Sequence, residues 1–363
     1  MDKVSLRLLR AIACRIGLST VIDARIRTRL KQNESHRGEK DIVEKQRRHL
    51  GRLKRSIEIQ RERIKNLEDR VKANSLQLRE VSTLLNKISW GLETVTKNPS
   101  QQIAIVVTYF GEAPFWLPAF FLSCRKNPDV TWIIYGDLKI DAETPENVVL
   151  KHMTVQELAK RASDIVGKEI EVVDLRQICD FKPLYGLMFV DDLKAFDFWA
   201  YSDLDVVWGD IRRFITESVL ANNDIISSRA KKLSGHFTLV RNTSRTNQLF
   251  KLIPNVEEKM AVQRYLCLDE HEITQRLKEH LTSSPSHDVI RIRWPAELTV
   301  NAAYQRRLGD SALQWRDGKT FNAEGEEVMY LHFHKLKRTM ETINFGHEDS
   351  PTSFEINRLG IWR

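Results

Sequence analysis

Asp203 and Asp205 are the residues whose type and spacing most directly suggest chemistry. They stand in the stretch 196–210, FDFWAYSDLDVVWGD. Phe198, Trp199, Ala200 and Tyr201 form an apolar, aromatic run that predicts a buried strand, and the run ends in the two acids. In an extended chain alternate side chains share a face, so the spacing puts both carboxylates on one side, about 7 Å apart. Two carboxylates leaving a core strand together are costly to bury without a positive partner. A divalent cation carrying substrate phosphates meets that need, because Mg2+ and Mn2+ are hard ions that favour oxygen ligands. A strand end whose acids are merely solvated is the plainer alternative. On the metal reading, replacing Asp205 by Asn relieves repulsion in the metal-free protein and so stabilises it.

Other residues join this pair. Lys182 precedes Pro183 in 181–189, FKPLYGLMF. The proline predicts the first turn of a helix, which would aim the Lys182 ammonium where anions gather. His236 sits beside Gly235 in GHFTLVR and either faces a ligand or is structural. Asp269 and Glu270 open the acidic cluster DEHE at a predicted helix start, where acids are also good dipole partners. His332 lies on a predicted strand over 328–333, with His334 two residues on and Lys335, Lys337 and Arg338 behind. One of these histidines could complete a metal shell and the lysines could meet phosphate. A basic, solvated strand end is the alternative.

The elements that must position these groups alternate. Continuous apolar runs at 103–108 and 131–135 predict strands covered on both faces, with a third at 148–150. A helix is predicted from Pro118 to Cys124, and another behind the capping box of Thr154 and Glu157, running to Val166. Residues 210–220 read as a helix, and 224–228 and 235–241 as strands. The alternation predicts an α/β domain over 101–345 with a mostly parallel sheet, followed by a C-terminal tail over 346–363. Ligands of such sheets bind beyond the carboxyl ends of the strands, where the two aspartates would lie.

The first third of the chain differs. Residues 1–100 hold 24 Lys+Arg against 12 Asp+Glu, and the remainder 33 against 37. The net charge of +8 therefore belongs to the N-terminal segment. Residues 1–30 predict a basic amphipathic helix with Leu8, Leu9, Ile12 and Ile16 on one face, suited to an anionic membrane surface or to protein packing. Arg7, Arg10 and Arg15 interrupt the apolar run a signal peptide needs. Over 40–97 a heptad carries Leu50, Ile57, Ile64, Val71, Leu78, Leu85 and Leu92 at one seam position. The other seam position holds Leu53, Leu67, Val81, Ile88 and Val95, with Gln60 and Asn74 as polar exceptions. This predicts a coiled coil and a homo-oligomer. Acids interspersed along the helix and the lack of a groove-reading motif argue against nucleic acid. The four cysteines are far apart and suggest neither zinc nor disulfides, which fits a reducing compartment. No apolar run reaches membrane-spanning length.

Taken in order, IAIVVTYFG, DFKPLYG, DFWAYSDLDVVWGDI, SGHFTLVRNT, the acids at 269–270 and YLHFHK resemble the bacterial glycosyltransferase-like proteins of the GT-A superfamily, found with polysaccharide and capsule biosynthesis. The likeness covers roughly 103–340 and leaves out the heptad segment. It implies a GT-A-like, Rossmann-like α/β fold with a mostly parallel sheet and flanking helices, behind a long coiled-coil helix. It also implies metal-dependent transfer of a sugar from a nucleotide-sugar donor to a glycan or lipid-linked acceptor. The expected location is the cytoplasm, with the helix over 1–30 as the candidate for peripheral attachment to the inner face of the cell membrane. Asp203, Asp205 and His332 would hold Mn2+ or Mg2+. Lys182, Tyr185, Asp203, His236 and Lys335 would contact the donor, and Asp269 or Glu270 would be the base of an inverting reaction. Two rival functions stay open. Asp203 to Val207 match the D-x-D-x-[TV] motif of haloacid-dehalogenase-type phosphatases, although about a hundred residues of α/β chain precede it here. The other is a non-catalytic coiled-coil scaffold carrying a degenerate sugar-binding domain.

Overall fold

The computed structural model describes residues 44, 47–70, 74, 101–229, 232–283, 290–293, 299–301 and 313–363. The chain divides into two compact units, Met1–Leu92 and Glu93–Arg363. In the first, residues 47–70 are helical. Leu53 and Leu67 of the seam are 47 % and 57 % exposed, and Leu50, Ile57 and Ile64 are half-buried. The expected amphipathic helix over 1–30 lies outside the described residues. So does the rest of the 40–97 heptad, apart from residues 44 and 74.

The second unit is built on a seven-stranded sheet. Its strands are β1 (Ile103–Tyr109), β2 (Val130–Gly136), β3 (Val148–His152), β4 (Phe198–Ser202), β6 (Ile225–Ser227), β7 (Phe237–Arg241) and β8 (Ile292–Arg293), with β5 (Val206–Trp208) in a separate sheet. The order is β3-β2-β1-β4-β7-β6-β8. β3, β2, β1 and β4 run parallel. β7 is antiparallel to both β4 and β6, and β8 is parallel to β6. The continuous apolar runs are explained by burial on two sides. Ile103, Ile105 and Val107 pack into one layer with Leu117, Phe120 and Phe121, while Ala104 and Val106 pack into the other with Leu158, Ala162 and Tyr185. β4 divides in the same way, Phe198 and Ala200 to the first layer and Trp199 and Tyr201 to the second. This is the mixed α/β, mostly parallel arrangement the alternation predicted.

The expected helices at Leu117–Arg125 and Val155–Val166 are present, and the second keeps the full capping box of Thr154 and Glu157. Several boundaries differ. The helix expected over 210–220 is two short ones, Ile211–Phe214 and Glu217–Asn222, because Thr216 turns extended and caps the second through Val219 N. Pro183 lies inside a 3-10 helix, Leu175–Leu184, not in the first turn of an α-helix.

The expected strand over 328–333 is broken at Met329 between two further sheets. One sheet joins β5 to β13 (Tyr330–His332) and β9 (Thr299–Asn301). The other holds β10 (Leu313–Arg316), β11 (Lys319–Phe321), β12 (Glu327–Val328), β14 (Thr342–Ile343), β15 (Ser353–Ile356) and β16 (Gly360–Trp362), in the order β12-β11-β10-β15-β16-β14. Residues 346–363, expected as a tail, thus supply two of its strands. Phe354, Ile356 and Ile361 are buried there in a core with Trp315 and Leu313.

Candidate functional site

The two aspartates do not share one strand. β4 ends at Ser202, Asp203 and Leu204 cross out of the large sheet, and Asp205 directly precedes β5 in the three-stranded sheet. Trp116 pins this crossing, its indole N–H donating to Leu204 O at 3.2 Å. The antiparallel pairing of β5 with β13 sets Val206 opposite His332, and Phe333 N donates to Asp205 O at 3.2 Å. The register therefore carries the end of β13 and the segment after it to the second aspartate.

Asp205 is 3 % exposed. Its Oδ1 lies 3.4 Å from His332 Nε2, and its Oδ2 lies 3.5 Å from His334 Nδ1 and 2.7 Å from Lys337 Nζ. Burial alone would raise this carboxyl, but the His332 and His334 imidazoles and the Lys337 ammonium outweigh it and hold Asp205 well below the usual carboxylate range. One donor atom each from Asp205, His332 and His334 fall within 4.8 Å of one another, so this trio could hold a metal ion. His332 is buried and neither of its ring nitrogens makes a hydrogen bond; a bound cation would give Nε2, the nitrogen facing Asp205, a partner.

Asp203 is partnered differently. Its Oδ2 lies 3.9 Å from His332 Nε2, but its Oδ1 takes the Lys182 ammonium at 2.5 Å. Lys182 also donates to Gly235 O at 2.7 Å. The lysine is buried beside Asp203 and does not stand at a helix N-terminus open to anions, as Pro183 had suggested. Burial would lower its pKa, but the Asp203 carboxylate beside it reverses this and holds it charged.

His236 stacks on His332, ring centroids 4.1 Å apart and 23° between planes. Its Nδ1 is 2.6 Å from the Tyr330 hydroxyl, which donates to Ser228 Oγ at 2.6 Å, and Ser228 donates to Phe237 O. The Nε2 of His236 is buried and makes no hydrogen bond. Burial, His332 and Arg229 hold this imidazole neutral.

The remaining expected residues lie further out. Tyr185 is buried behind the site, its hydroxyl 2.7 Å from Thr108 Oγ1 near the end of β1. Lys335 is exposed at the start of a 3-10 turn, and Lys337 rather than Lys335 reaches the acids. Glu270 is locked by Arg229, Lys232 and Gly235 N at 3.1, 2.6 and 2.9 Å. Asp269 is 2 % exposed and accepts from the Tyr265 hydroxyl. Burial pushes its carboxyl up to about 7, against the pull of Lys182. A Cβ on Gly235 would stand 2.6 Å from Asp269 Oδ2, so only glycine lets this loop close over the acid. Sequence reasoning missed Asp180, which holds the chain before Asp269 by accepting from Leu266 N and Leu268 N, both at 2.6 Å. It also gave Lys337 no partner, although His334 and Lys337 stand three apart and hence about one turn apart if the chain coils there.

Fold and site together define a mixed α/β protein with an Asp–His–His cluster and two lysine-covered aspartates past the carboxyl end of β4, the central strand of its mostly parallel sheet. The chain belongs to a family of unknown function, DUF6625, whose profile matches residues 105–362. No curated protein matches it. Among solved structures it is similar to the galactosyltransferase LgtC in complex with donor and acceptor sugar analogues, at 9 % identity and TM-score 0.35, over 63 % of this chain and 86 % of that one. It is also similar to a glycosyltransferase involved in glycosylation of the major capsid of PBCV-1, at 6 % identity and TM-score 0.35, over 65 % of this chain and 96 % of that one.

Proposed function

We propose that this protein is a metal-dependent glycosyltransferase that moves a sugar from a nucleotide-sugar donor to a glycan or lipid-linked acceptor in bacterial surface polysaccharide synthesis. The observation that carries the reading is the convergence of Asp205 with His332 and His334, more than a hundred residues further along the chain, beside two lysines past the carboxyl end of β4. In this reading those three side chains hold the divalent ion, with His334 in the place expected for Asp203, whose Oδ1 is taken by Lys182 at 2.5 Å. One carboxylate with two imidazoles suits Mn2+ or a similar transition ion better than Mg2+, which prefers oxygen ligands alone. When bound, such an ion neutralises charge developing on a departing diphosphate.

The chain's own residues take the other roles. Asp203 keeps Lys182 charged and in place, and Lys182 fixes the Gly235 loop. His236, neutral and stacked, sets the plane of His332. Tyr185 buttresses the end of β1, and Lys335 approaches the diphosphate from its exposed turn. Asp269 and Glu270, buried against protein groups, serve to position the Gly235 loop rather than as an exposed base. Residues 40–97 pair copies of the chain, a role supported by the exposed Leu53 and Leu67. Residues 1–30 contact the cytoplasmic face of the membrane.

The test is a titration of Mn2+ into wild type, Asp205→Asn and His332→Ala with a nucleoside diphosphate present. Asp205→Asn should abolish metal-dependent nucleotide binding with the fold intact, and His332→Ala should weaken it less, since a neutral ligand contributes less than a charged one. Undiminished Mn2+ and nucleotide affinity in Asp205→Asn ends the reading.

A further inference from the structure

Asp205 has a third basic neighbour that no ligand role accounts for. The Lys337 ammonium approaches Oδ2 at 2.7 Å, closer than either imidazole comes to this carboxylate. A cation held by Asp205, His332 and His334 would draw on that same carboxylate, and two positive charges cannot both sit on it at short range without mutual repulsion. Lys337 is also not held by Asp205 alone. Its side chain is 32 % exposed, and its Nζ lies 5.9 Å from the centre of the Trp116 ring, whose face attracts a cation. It stands on the 3-10 turn Leu336–Arg338, whose backbone is held separately by Lys337 N donating to Phe333 O and Thr339 N to Leu336 O. The side chain can therefore leave Asp205 without unravelling the segment that carries His334.

We propose that Lys337 is a built-in competitor for the metal ion at Asp205, and that ion binding releases its ammonium towards an anionic substrate. The proposal rests on the metal reading of the Asp205–His332–His334 cluster. It adds that the site is self-neutralised until an ion arrives, and that the same event frees a cation for phosphate. By linkage, an anion that captures the released ammonium tightens metal binding, and the metal tightens anion binding by the same factor.

The experiment is a titration of Mn2+ alone, read by calorimetry and by the loss of the free-ion paramagnetic resonance signal, so it needs no turnover. Lys337→Met removes the competing charge and keeps the stem. Lys337→Arg keeps the charge. Lys160→Met, on the exposed Lys160–Asp164 pair of the helix Val155–Val166, makes the same change of net charge elsewhere. Lys337→Met should bind Mn2+ about tenfold more tightly than wild type, the upper scale of one partly exposed ion pair, while Lys337→Arg and Lys160→Met stay near wild type. If Lys337 instead only props Asp205 in place, Lys337→Met binds Mn2+ more weakly, and the proposal is wrong. Equal affinity in wild type and Lys337→Met refutes the competition but leaves the metal site standing. No Mn2+ binding by any of the folded proteins removes the metal reading and this proposal with it. Should Lys337→Met fail to fold, Lys337→Gln is held to the same expectation.

Discussion

Replacing Lys182 by Met tests whether the buried lysine holds the site together. The ammonium makes two contacts, to Asp203 Oδ1 at 2.5 Å and to Gly235 O at 2.7 Å, from a side chain only 5 % exposed. Methionine keeps most of the stem and packs at little cost, so the loss comes from the two partners. Gly235 O would remain buried without a donor, at about 1–3 kcal/mol. Asp203 is 32 % exposed and can turn to water, so its share is well below the 3–5 kcal/mol of a fully buried broken pair. The expected loss is about 2–3 kcal/mol of unfolding free energy, measured by urea denaturation of the full-length protein at pH 7 and followed by the far-UV signal. The double variant with Asp203→Asn separates the terms. If the pair matters, the Lys182 change should cost about 1 kcal/mol less in the Asp203→Asn background than in wild type. A loss below about 0.5 kcal/mol, or equal losses in both backgrounds, would refute the reasoning that Lys182 is a structural clamp on Asp203.

Three further outcomes follow from the same geometry. Asp269 has its folded pKa raised to about 7, above an unfolded value of about 4, so the native state binds the extra proton and wild-type stability falls as pH rises through that window. Asp269→Asn has no proton to lose, so denaturation at pH 5 and pH 8 should show it gaining on wild type at the higher pH, by an amount bounded at about 3 kcal/mol; a constant difference would contradict this. Gly235→Ala drives a Cβ to 2.6 Å from Asp269 Oδ2 and should lower the thermal midpoint and displace Lys182, whereas an unchanged midpoint would show that the loop yields freely. Removing residues 1–98 should leave a folded monomer that still binds nucleotide, and sedimentation showing a full-length monomer would dispose of the coiled-coil partner.

Local patterns were legible without coordinates. The unbroken apolar runs of β1 and β2, the capping box at Thr154 and Glu157 and the apolar lead into Asp203 are each set by neighbours within a few residues, and each was found close to its expected place. The histidines and lysines after β13 could be named as candidates for the same reason. Where a sheet begins and ends is not local. The break after Ser202 and the break at Met329 both mark the chain leaving one sheet for another, and their residues keep a strand-like pattern across the change. The repulsion expected between Asp203 and Asp205, and with it the stabilisation expected of Asp205→Asn, is superseded for this reason. Each acid has its own cation, Lys182 for the first and Lys337 for the second, so removing the Asp205 charge strips Lys337, His332 and His334 of their partner.

The sequence by itself determined that two carboxylates follow a core strand in an α/β chain, because side-chain types and a period of two are written in the residues. Only the tertiary structure decided which cations meet them. The pairing of β5 with β13 spans more than a hundred residues, and that register, through Phe333 N on Asp205 O, selects His332, His334 and Lys337 over Lys335 and Arg338. A pairing of that length depends on the packing of the whole unit, and no nearby residue encodes it.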